Sequence, residues 1–308
     1  MQHTLRHKID IQGTGLHSGK AVHLSLKPAP SGHGVVFKRT DITGKNPLIP
    51  AKWDHVVDTR LCTVIGNSDG VTVGTIEHLM SALRGCGVDN VLVEVDAPEV
   101  PVMDGSAAPF VERIEEAGLQ VQSMPRRAIR ILKEITVRDG DKKVTLSPSA
   151  VPVFSGQIDF EHPDVGTQRH EVKLVNGNFK HDIADCRTFG FLAEVEAMQA
   201  AGLALGGSLE NAVVLDESGV INPEGLRCAD EFIRHKLLDA IGDLYLAGGP
   251  VLGAYEGIRG GHALNNKVLR ALFADPSAYE IVDLFVDVDE ADGHVYPEKP
   301  RASSVAIA

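Results

Sequence analysis

Runs of alternating hydrophobic and polar residues in the first third of the chain predict short β-strands. Strand-like runs such as AVHLSL and GVVFKR are separated by turn signals such as KPAPSGHG. A helical spacing follows in GTIEHLMSALRGCG, then a strand-like NVLVEVD, a Pro- and Gly-rich loop, and a second helical run, PFVERIEEAG. This part of the chain therefore predicts a mixed α+β unit.

The hydrophobic pattern resets near VQSMPRRAIRI and then repeats the order of the first half. New strand-like runs (AIRIL, EITVRD, KKVTLSP, GQIDFEH) lead to a Gly-terminated helix, a strand in PVLGAYEG and a helix in NNKVLRALFAD. We therefore predict an α+β fold of two similar domains, the first at residues 1–124 and the second at residues 125–295. Residues 296–308 are expected to form a flexible tail.

The helix predicted at EFIRHKLLDAIGDLYLAG carries polar residues on an otherwise apolar surface. His235, Asp239 and Asp243 recur at one-turn spacing, and Phe232 and Leu246 fall on the same side. Imidazole and carboxylate four residues apart can bind one zinc ion. The alternatives are a solvated polar face and a structural contact between domains. The apolar neighbours favour the metal, because burying unpaired polar groups is costly.

A third metal ligand must come from elsewhere in the chain, and His78 is the candidate. It lies in TIEHLM, within the matching helix of the first half, directly after Glu77. A glutamate beside a metal-binding histidine serves as the base in the HExxH zinc motif. The pair Glu77–His78 gains weight only because the matching helix of the second half carries the other two ligands.

The segment RGGHALNNK places a histidine at the predicted start of a helix. Gly260 and Gly261 free the backbone just before His262. A helix N-terminus tends to lower a histidine's pKa, so a protonated His262 would need a nearby carboxylate, for which Asp243 is the candidate. The alternative is an ordinary surface histidine at a helix start.

An aliphatic segment follows Thr188 and Phe189, which we place at a strand-to-helix junction. It is either a core helix with a Gly-rich exit or a groove for a hydrocarbon chain, which would contribute up to about 0.8 kcal/mol per buried methylene. Its larger apolar residues are Leu192, Met198, Leu203 and Leu205.

Composition narrows the classes of protein that this chain can be. A net charge of −12 argues against nucleic acid as a main partner. Four widely spaced cysteines without a CxxC pair suggest neither a disulfide scaffold nor a cysteine zinc site. We expect no transmembrane segment and no secretory signal, and hence a cytoplasmic protein.

Taken in order, these motifs resemble one family over almost the whole chain. The family is UDP-3-O-acyl-N-acetylglucosamine deacetylase, a group of zinc amidases of lipid A synthesis in Gram-negative bacteria. The resemblance lies in GTGLHSGK, DTRLCT, TIEHLMSAL, DAPEVPVMDGSAAPF, IDFEHP, RTFGF, GLALGGSLENAVV, DEFIRHKLLDAIGDLYLAG and GHALNNK. A departure occurs at IRGGH, which has an arginine and a glycine where the family often shows lysine and serine.

The resemblance implies a fold and a cofactor. Two α+β domains would stack as a sheet-helix-helix-sheet sandwich, with small inserts within about residues 41–71 and 183–213. His78, His235 and Asp239 would hold Zn²⁺, and Fe²⁺ also suits this ligand set. We expect a monomer.

The resemblance also implies the reaction, hydrolysis of an N-acetyl amide on an acylated UDP-amino sugar. Glu77 would take a proton from water, Thr188 would stabilise the oxyanion, and His262, held by Asp243, would protonate the leaving nitrogen. Rival interpretations are a different zinc amidase or esterase and a metal-free nucleotide-sugar-binding protein. The substrate contacts implied are Lys236 and Arg259 near the sugar or phosphates, Lys142 and Arg187 at the phosphates, and Phe160 at uracil. Met198, Leu203 and Leu205, in the segment after Phe189, would lie along the acyl chain, and Phe189 is a further implied substrate contact.

Overall fold

Two five-stranded sheets with the same topology form the frame of the molecule. The computed structural model describes residues 1–175 and 177–284. The predicted tail at residues 296–308 lies outside the described residues, as does the end of the second predicted domain. The strands and helices of the first half are β1 His3–Leu5, β2 Ile9–Thr14, β3 Ala21–Pro28, β4 Val35–Arg39, β5 Leu48–Pro50, β6 Val56–Asp58, β7 Val64–Gly66, β8 Thr72–Val73, α1 Glu77–Cys86, β9 Val91–Val95, α2 Ala108–Ala117 and β10 Leu119–Val121.

The second half repeats this plan with additional short elements. Its strands are β11 Arg126–Ile131, β12 Ile135–Asp139, β13 Lys142–Ser147, β14 Val153–Asp159, β15 Thr167–Lys173, β16 Phe189–Phe191, β17 Val213–Asp216, β18 Gly219–Val220, β19 Val251–Leu252, β20 Ala254–Ile258 and β21 Tyr279–Leu284. Its helices are α3 Asn178–Asp182, α4 Leu192–Ala200, α5 Glu231–Tyr245 and α6 His262–Ala274.

Strand order demonstrates the internal repeat that the sequence predicts. The first sheet has the order β2-β3-β9-β4-β5 and the second the order β12-β13-β20-β14-β15. In each sheet the third and fourth strands pair in parallel and all other neighbours are antiparallel. This arrangement confirms the predicted α+β class and is consistent with the predicted sandwich of sheets and helices. Buried apolar residues of both halves form one continuous core, from Leu5 to Ala278, and the domain boundary stays a prediction.

A close contact between α1 and α5 brings the two halves together at their helices. Thirteen of the fifteen residues of α5 are buried, and its close approach to α1 depends on Gly242. A Cβ atom at Gly242 would lie 2.0 Å from the backbone oxygen of Glu77, so a larger residue would force the helices apart. Burial along nearly the whole of α5 confirms its prediction as an interior helix.

Each half also carries a small three-stranded sheet. The first insert contains β6, β7 and β8, and the second contains β16, β17 and β18 together with α4. Both inserts extend further along the chain than predicted, to Val73 and Val220. Thr188 precedes β16, so it does not lie at a strand-to-helix junction. No residue of α4 is buried, so the alternative of a core helix at this segment is wrong.

Candidate active site and metal centre

The buried polar residues of α1 and α5 converge where the two helices cross. Nε2 of His78 lies 3.5 Å from Oδ1 of Asp239, and Nε2 of His235 lies 3.3 Å from the same oxygen. One ligand atom of each residue lies within 4.8 Å of the others, and all three side chains are buried. Two histidines and an aspartate from opposite halves of the chain therefore face a common point.

The donor set at this point fits a divalent cation. Oδ1 of Asp239 is buried and has no hydrogen-bond partner among the described residues, although two imidazole nitrogens face it. Zinc bonds of about 2.0–2.2 Å in tetrahedral geometry separate neighbouring ligand atoms by about 3.3 Å, close to the spacings seen here. A cation would give this otherwise unpaired oxygen its partner, which is the arrangement that buried charge requires.

Hydrogen bonds around the cluster orient its ligands. Nδ1 of His235 donates to the backbone oxygen of Cys186 at 3.0 Å, which leaves Nε2 as the atom facing Asp239. Burial lowers the pKa of His235 to about 3, so its imidazole is neutral, as metal binding requires. Nζ of Lys236 donates to Oδ2 of Asp239 at 3.1 Å and occupies the second carboxylate oxygen.

A glutamate and a histidine flank the cluster. Glu77 is the first residue of α1, and burial raises the pKa of its carboxyl group. His262 is the first residue of α6, as predicted, and its Nε2 lies 3.9 Å from Oε1 of Glu77. These two groups therefore face each other beside the three ligands.

Asp243 fixes the other side of the His262 ring. Nδ1 of His262 lies 2.8 Å from Oδ2 of Asp243, and Nδ2 of Asn265 donates to the same oxygen at 2.9 Å. Burial alone would lower the pKa of His262, but the carboxylates of Asp243 and Glu77 outweigh it and raise the pKa to about 10. The imidazole is therefore charged at neutral pH, with Nε2–H directed towards the space beside Glu77.

The family model described as UDP-3-O-acyl N-acetylglycosamine deacetylase matches residues 2–274 of this chain. The chain belongs to this family. Three relatives named UDP-3-O-acyl-N-acetylglucosamine deacetylase illustrate the similarity. That of Myxococcus xanthus (strain DK1622) is 52% identical over 91% of this chain and 89% of the relative. That of Acidithiobacillus ferrooxidans (strain ATCC 53993 / BNL-5-31) is 52% identical over 92% of this chain and 93% of the relative. That of Phenylobacterium zucineum (strain HLK1) is 49% identical over 94% of this chain and 99% of the relative.

In this deacetylase-family chain, a cavity of about 570 Å³ lies between the two inserts. Leu61, Cys62 and Val64 line it from the first insert, and Leu203 lines it from the second. Cys62 of its wall directly precedes Thr63, whose backbone N–H donates to Oε2 of Glu77 at 3.1 Å. The cavity therefore lies close to the site, and its wall combines apolar residues with polar ones such as Asp58 and Arg60.

Only one of the three predicted aliphatic acyl contacts lines this cavity within the described residues. Leu203 lines it and is 38% exposed, whereas Met198 and Leu205 are not among its lining residues. Leu205 is 52% exposed and lies against Gly19, where a Cβ atom would come within 2.9 Å of the Leu205 Cβ. The cavity takes part of its wall from the first insert, whose residues were not among the predicted acyl contacts.

Aromatic residues predicted to bind substrate form a cluster beside Lys236. The rings of Phe160 and Phe189 lie 5.8 Å apart between centroids, and Nζ of Lys236 lies 5.4 Å from the centroid of Phe189. Thr188 is half-buried next to Phe189, and its hydroxyl has no hydrogen-bond partner within the described part of the chain. The structure thus places Phe160, Phe189 and Lys236 together, and their contacts to substrate remain a prediction.

The predicted phosphate contacts are less favourably placed. Arg187 is 2% exposed, and its guanidinium is held by Glu231, Glu224 and the backbone oxygen of Gly225. This placement argues against a phosphate contact for Arg187, because a buried cation with this many acceptors has no free face.

The guanidinium of Arg259 is also engaged, although it remains partly exposed. It bonds to Asp141 and, at 2.7 Å, to Oδ2 of Asp159. Lys142 is exposed directly after Asp141. An anion at this patch would have to displace two carboxylates from Arg259, so Lys142 is the cation that is freer to bind it.

Thr63 is a site residue that sequence reasoning missed. Besides holding Glu77 through its N–H, it donates its hydroxyl to Oδ1 of Asp243 at 2.5 Å. The only sequence signal was its position at the end of DTRLCT, one of the motifs that carry the resemblance.

None of the helices in the described ranges combines the length and the apolar composition that crossing a membrane requires.

Proposed function

We propose that this chain hydrolyses the N-acetyl group of UDP-3-O-(3-hydroxyacyl)-N-acetylglucosamine, giving the free amine and acetate in an early step of lipid A biosynthesis. The observation that carries the proposal is the convergence of His78 with His235 and Asp239, flanked by Glu77 and His262. Relatives about 50% identical over nine-tenths of the chain bear the name of this activity. The substrate is a small molecule, and we expect the enzyme to act as a cytoplasmic monomer.

The three ligands support a role for a divalent cation, which we propose to be Zn²⁺, with Fe²⁺ as the alternative. Nε2 of His78, Nε2 of His235 and a carboxylate oxygen of Asp239 would hold it. Such an ion polarises a carbonyl group and eases the ionisation of water near neutral pH. The remaining chemistry falls to the protein's own residues.

Glu77 is proposed as the general base. Thr63 occupies Oε2, so Oε1 is the oxygen available to accept a proton from the attacking water. Because burial raises the pKa of Glu77, its carboxylate is a better proton acceptor than an exposed one. The buried position also keeps bulk water away from this oxygen.

His262 is proposed as the general acid. Its Nε2–H can protonate the nitrogen of the amide, which is a poor leaving group unless it gains a proton. Asp243 holds the ring by Nδ1 and keeps it charged. The unpartnered hydroxyl of Thr188 is proposed to donate to the oxyanion that forms as water adds to the carbonyl carbon.

The surfaces around the site suit a substrate with an apolar and a nucleotide part. We propose that the cavity beside Leu61 and Leu203 receives the acyl chain. Phe160 and Phe189 offer faces for uracil or the sugar, and Lys236 and Lys142 offer positive charge for the sugar and phosphates. Arg259 is proposed to contribute only after exchanging a carboxylate partner.

Activity should fall in alkaline solution as His262 loses its proton, near pH 10. Asp243→Asn should move this alkaline limb of kcat/KM to lower pH by roughly 1–3 units, because the carboxylate that stabilises the imidazolium is gone. The measurement is kcat/KM against pH for both proteins. Asp10→Asn, a change of the same kind at an exposed position, is the control and should keep the original limb. An unmoved limb in Asp243→Asn would remove Asp243 from this role.

A charge in the proposed acyl cavity should impair long-chain substrates selectively. Leu203→Asp should raise KM for a substrate with a long acyl chain by at least about tenfold, since several methylenes lose apolar contact. KM for a substrate without the acyl group should change less than twofold. Leu132→Asp places the same charge at another exposed leucine and serves as the control. Equal effects of Leu203→Asp on both substrates would contradict the assignment of the cavity.

Acetate release from the acylated UDP-sugar, with and without a chelator, tests the proposed reaction. The expected result is stoichiometric acetate and free amine, abolished by the chelator and restored by added Zn²⁺. Hydrolysis of the ester with the amide intact would instead identify an esterase, one of the rival interpretations. Binding of the UDP-sugar without turnover, in the presence of metal, would favour the binding-protein alternative.

A further inference from the structure

Thr63 lies between the two residues proposed to control proton transfer. Its backbone N–H donates to Oε2 of Glu77 at 3.1 Å, and its hydroxyl donates to Oδ1 of Asp243 at 2.5 Å. The side chain is 2% exposed, so neither bond competes with bulk water. One residue of the first insert therefore contacts a carboxylate from each half of the chain.

The hydroxyl of Thr63 completes the hydrogen bonding of Asp243. Oδ2 of Asp243 receives Nδ1–H of His262 and Nδ2–H of Asn265, and the amide of Asn265 is held in turn by the Tyr255 hydroxyl at 2.8 Å. Oδ1 receives Thr63 as its only donor within the described ranges. Donors on both oxygens fix the rotation of the carboxylate about its Cβ–Cγ bond, whereas donors on one oxygen alone permit it to turn.

The two bonds of Thr63 also decide which carboxylate oxygens stay available. With Oε2 of Glu77 occupied, Oε1 is the oxygen that faces Nε2 of His262 at 3.9 Å. With Oδ1 of Asp243 occupied, Oδ2 is presented to Nδ1 of His262. Thr63 therefore orients the carboxylate of the proposed base, Glu77, and the carboxylate that holds the proposed acid, His262.

We propose that Thr63 is a positioning residue for the deacetylation, acting through Glu77 and Asp243 rather than by touching substrate. This proposal rests on the function proposed above. Its neighbours Cys62 and Val64 line the cavity, so the position of Thr63 is set by the same segment that forms the cavity wall. The opposing interpretation is that Thr63 is a buried hydroxyl that contributes to stability alone.

Thr63→Val tests the hydroxyl, because it keeps the shape of the side chain and the backbone N–H. We expect kcat to fall roughly 10- to 100-fold, because small misplacements of catalytic groups reduce the rate by such factors. KM and metal content should stay within about twofold, and Thr63→Ser should restore kcat to within about threefold. Thr63→Ala, which removes the hydroxyl and leaves space instead of a methyl group, replaces the valine variant if that variant does not fold.

Thr4→Val is the matched control. The hydroxyl of Thr4 is also buried and donates to the backbone oxygen of Asn90 at 2.7 Å, away from the site. If the hydrogen bond of a buried hydroxyl mattered only for stability, Thr4→Val and Thr63→Val would both lower the unfolding temperature. Neither variant would then change kcat. A kcat loss confined to the Thr63 variants that lack a hydroxyl supports the proposal, and wild-type kcat in Thr63→Val overturns it.

Crystal structures of Thr63→Val and Thr63→Ser separate this proposal from the proposed function. We expect the Asp243 carboxylate to rotate in the valine variant, lengthening its contact with Nδ1 of His262, and to stay in place in the serine variant. If the wild-type protein releases no acetate, the proposed function fails and these structures alone decide the positioning claim. An Asp243 that is unmoved in both variants would refute it.

Discussion

Glu77→Gln is expected to lower kcat by roughly 10²- to 10⁴-fold, the usual contribution of a general base, while the protein keeps its metal. Glutamine preserves the size of the side chain and its acceptor for the Thr63 N–H, but it cannot take a proton. Because Glu77 is buried and the pKa of its carboxyl group is raised, a carboxylate from solution cannot take its place as the base. KM should change little, since the residue is proposed to act in the transition state.

Steady-state acetate release and metal analysis on the same preparations measure this prediction. Glu94→Gln makes the same chemical change on β9, where Glu94 pairs with Lys27 and Lys38, and should leave kcat unaltered. Near-normal turnover in Glu77→Gln with full metal content would end the assignment of Glu77 as base. Loss of metal would instead show that Glu77 supports the ligands.

The helices that build the site could be predicted because their hydrophobic spacing is strong. The run around His235 is apolar on nearly every face, and the structure buries it as an interior helix. The repeat between the halves was likewise visible in the order of elements and is confirmed by the matching strand order. Strand limits were less predictable: the run PVLGAYEG splits at Gly253, where a Cβ would lie 2.6 Å from Ile131.

Convergence of the ligands was predictable only in part. The spacing of His235 and Asp239 placed them on one helix face, but the meeting with His78 depends on how closely α1 approaches α5. Gly242 permits that approach, and its importance follows from a contact with the backbone of Glu77 that no local pattern encodes. The family resemblance supplied what the spacing could not.

Arg187 and Thr63 show the limit of reading single residues. A cation in RTFGF suggested a phosphate contact, but its partners Glu231 and Glu224 lie 44 and 37 residues further along the chain. Thr63 contacts Asp243 across 180 residues, and threonine is too common in loops to attract notice. Partners this distant are set by the tertiary fold, so they appear only in the structure.

Replacing a proposed metal ligand is also expected to reduce activity strongly, because the protein would lose the ion itself. Losing a group that merely hydrogen-bonds a ligand costs roughly 10- to 100-fold in metal affinity, and removing a ligand should cost more. His78→Ala and Asp239→Ala should therefore bind less than one ion per chain after dialysis and show no detectable acetate release. His23→Ala, at an exposed histidine of β3, should keep both metal and activity.

Metal content combined with anomalous diffraction tests the central claim most directly. We predict one divalent ion per wild-type chain, with its scattering peak between Nε2 of His78, Nε2 of His235 and the Asp239 carboxylate, and no peak there in His78→Ala or Asp239→Ala. A wild-type chain without bound metal, or an ion that persists unchanged in both variants, would contradict the account.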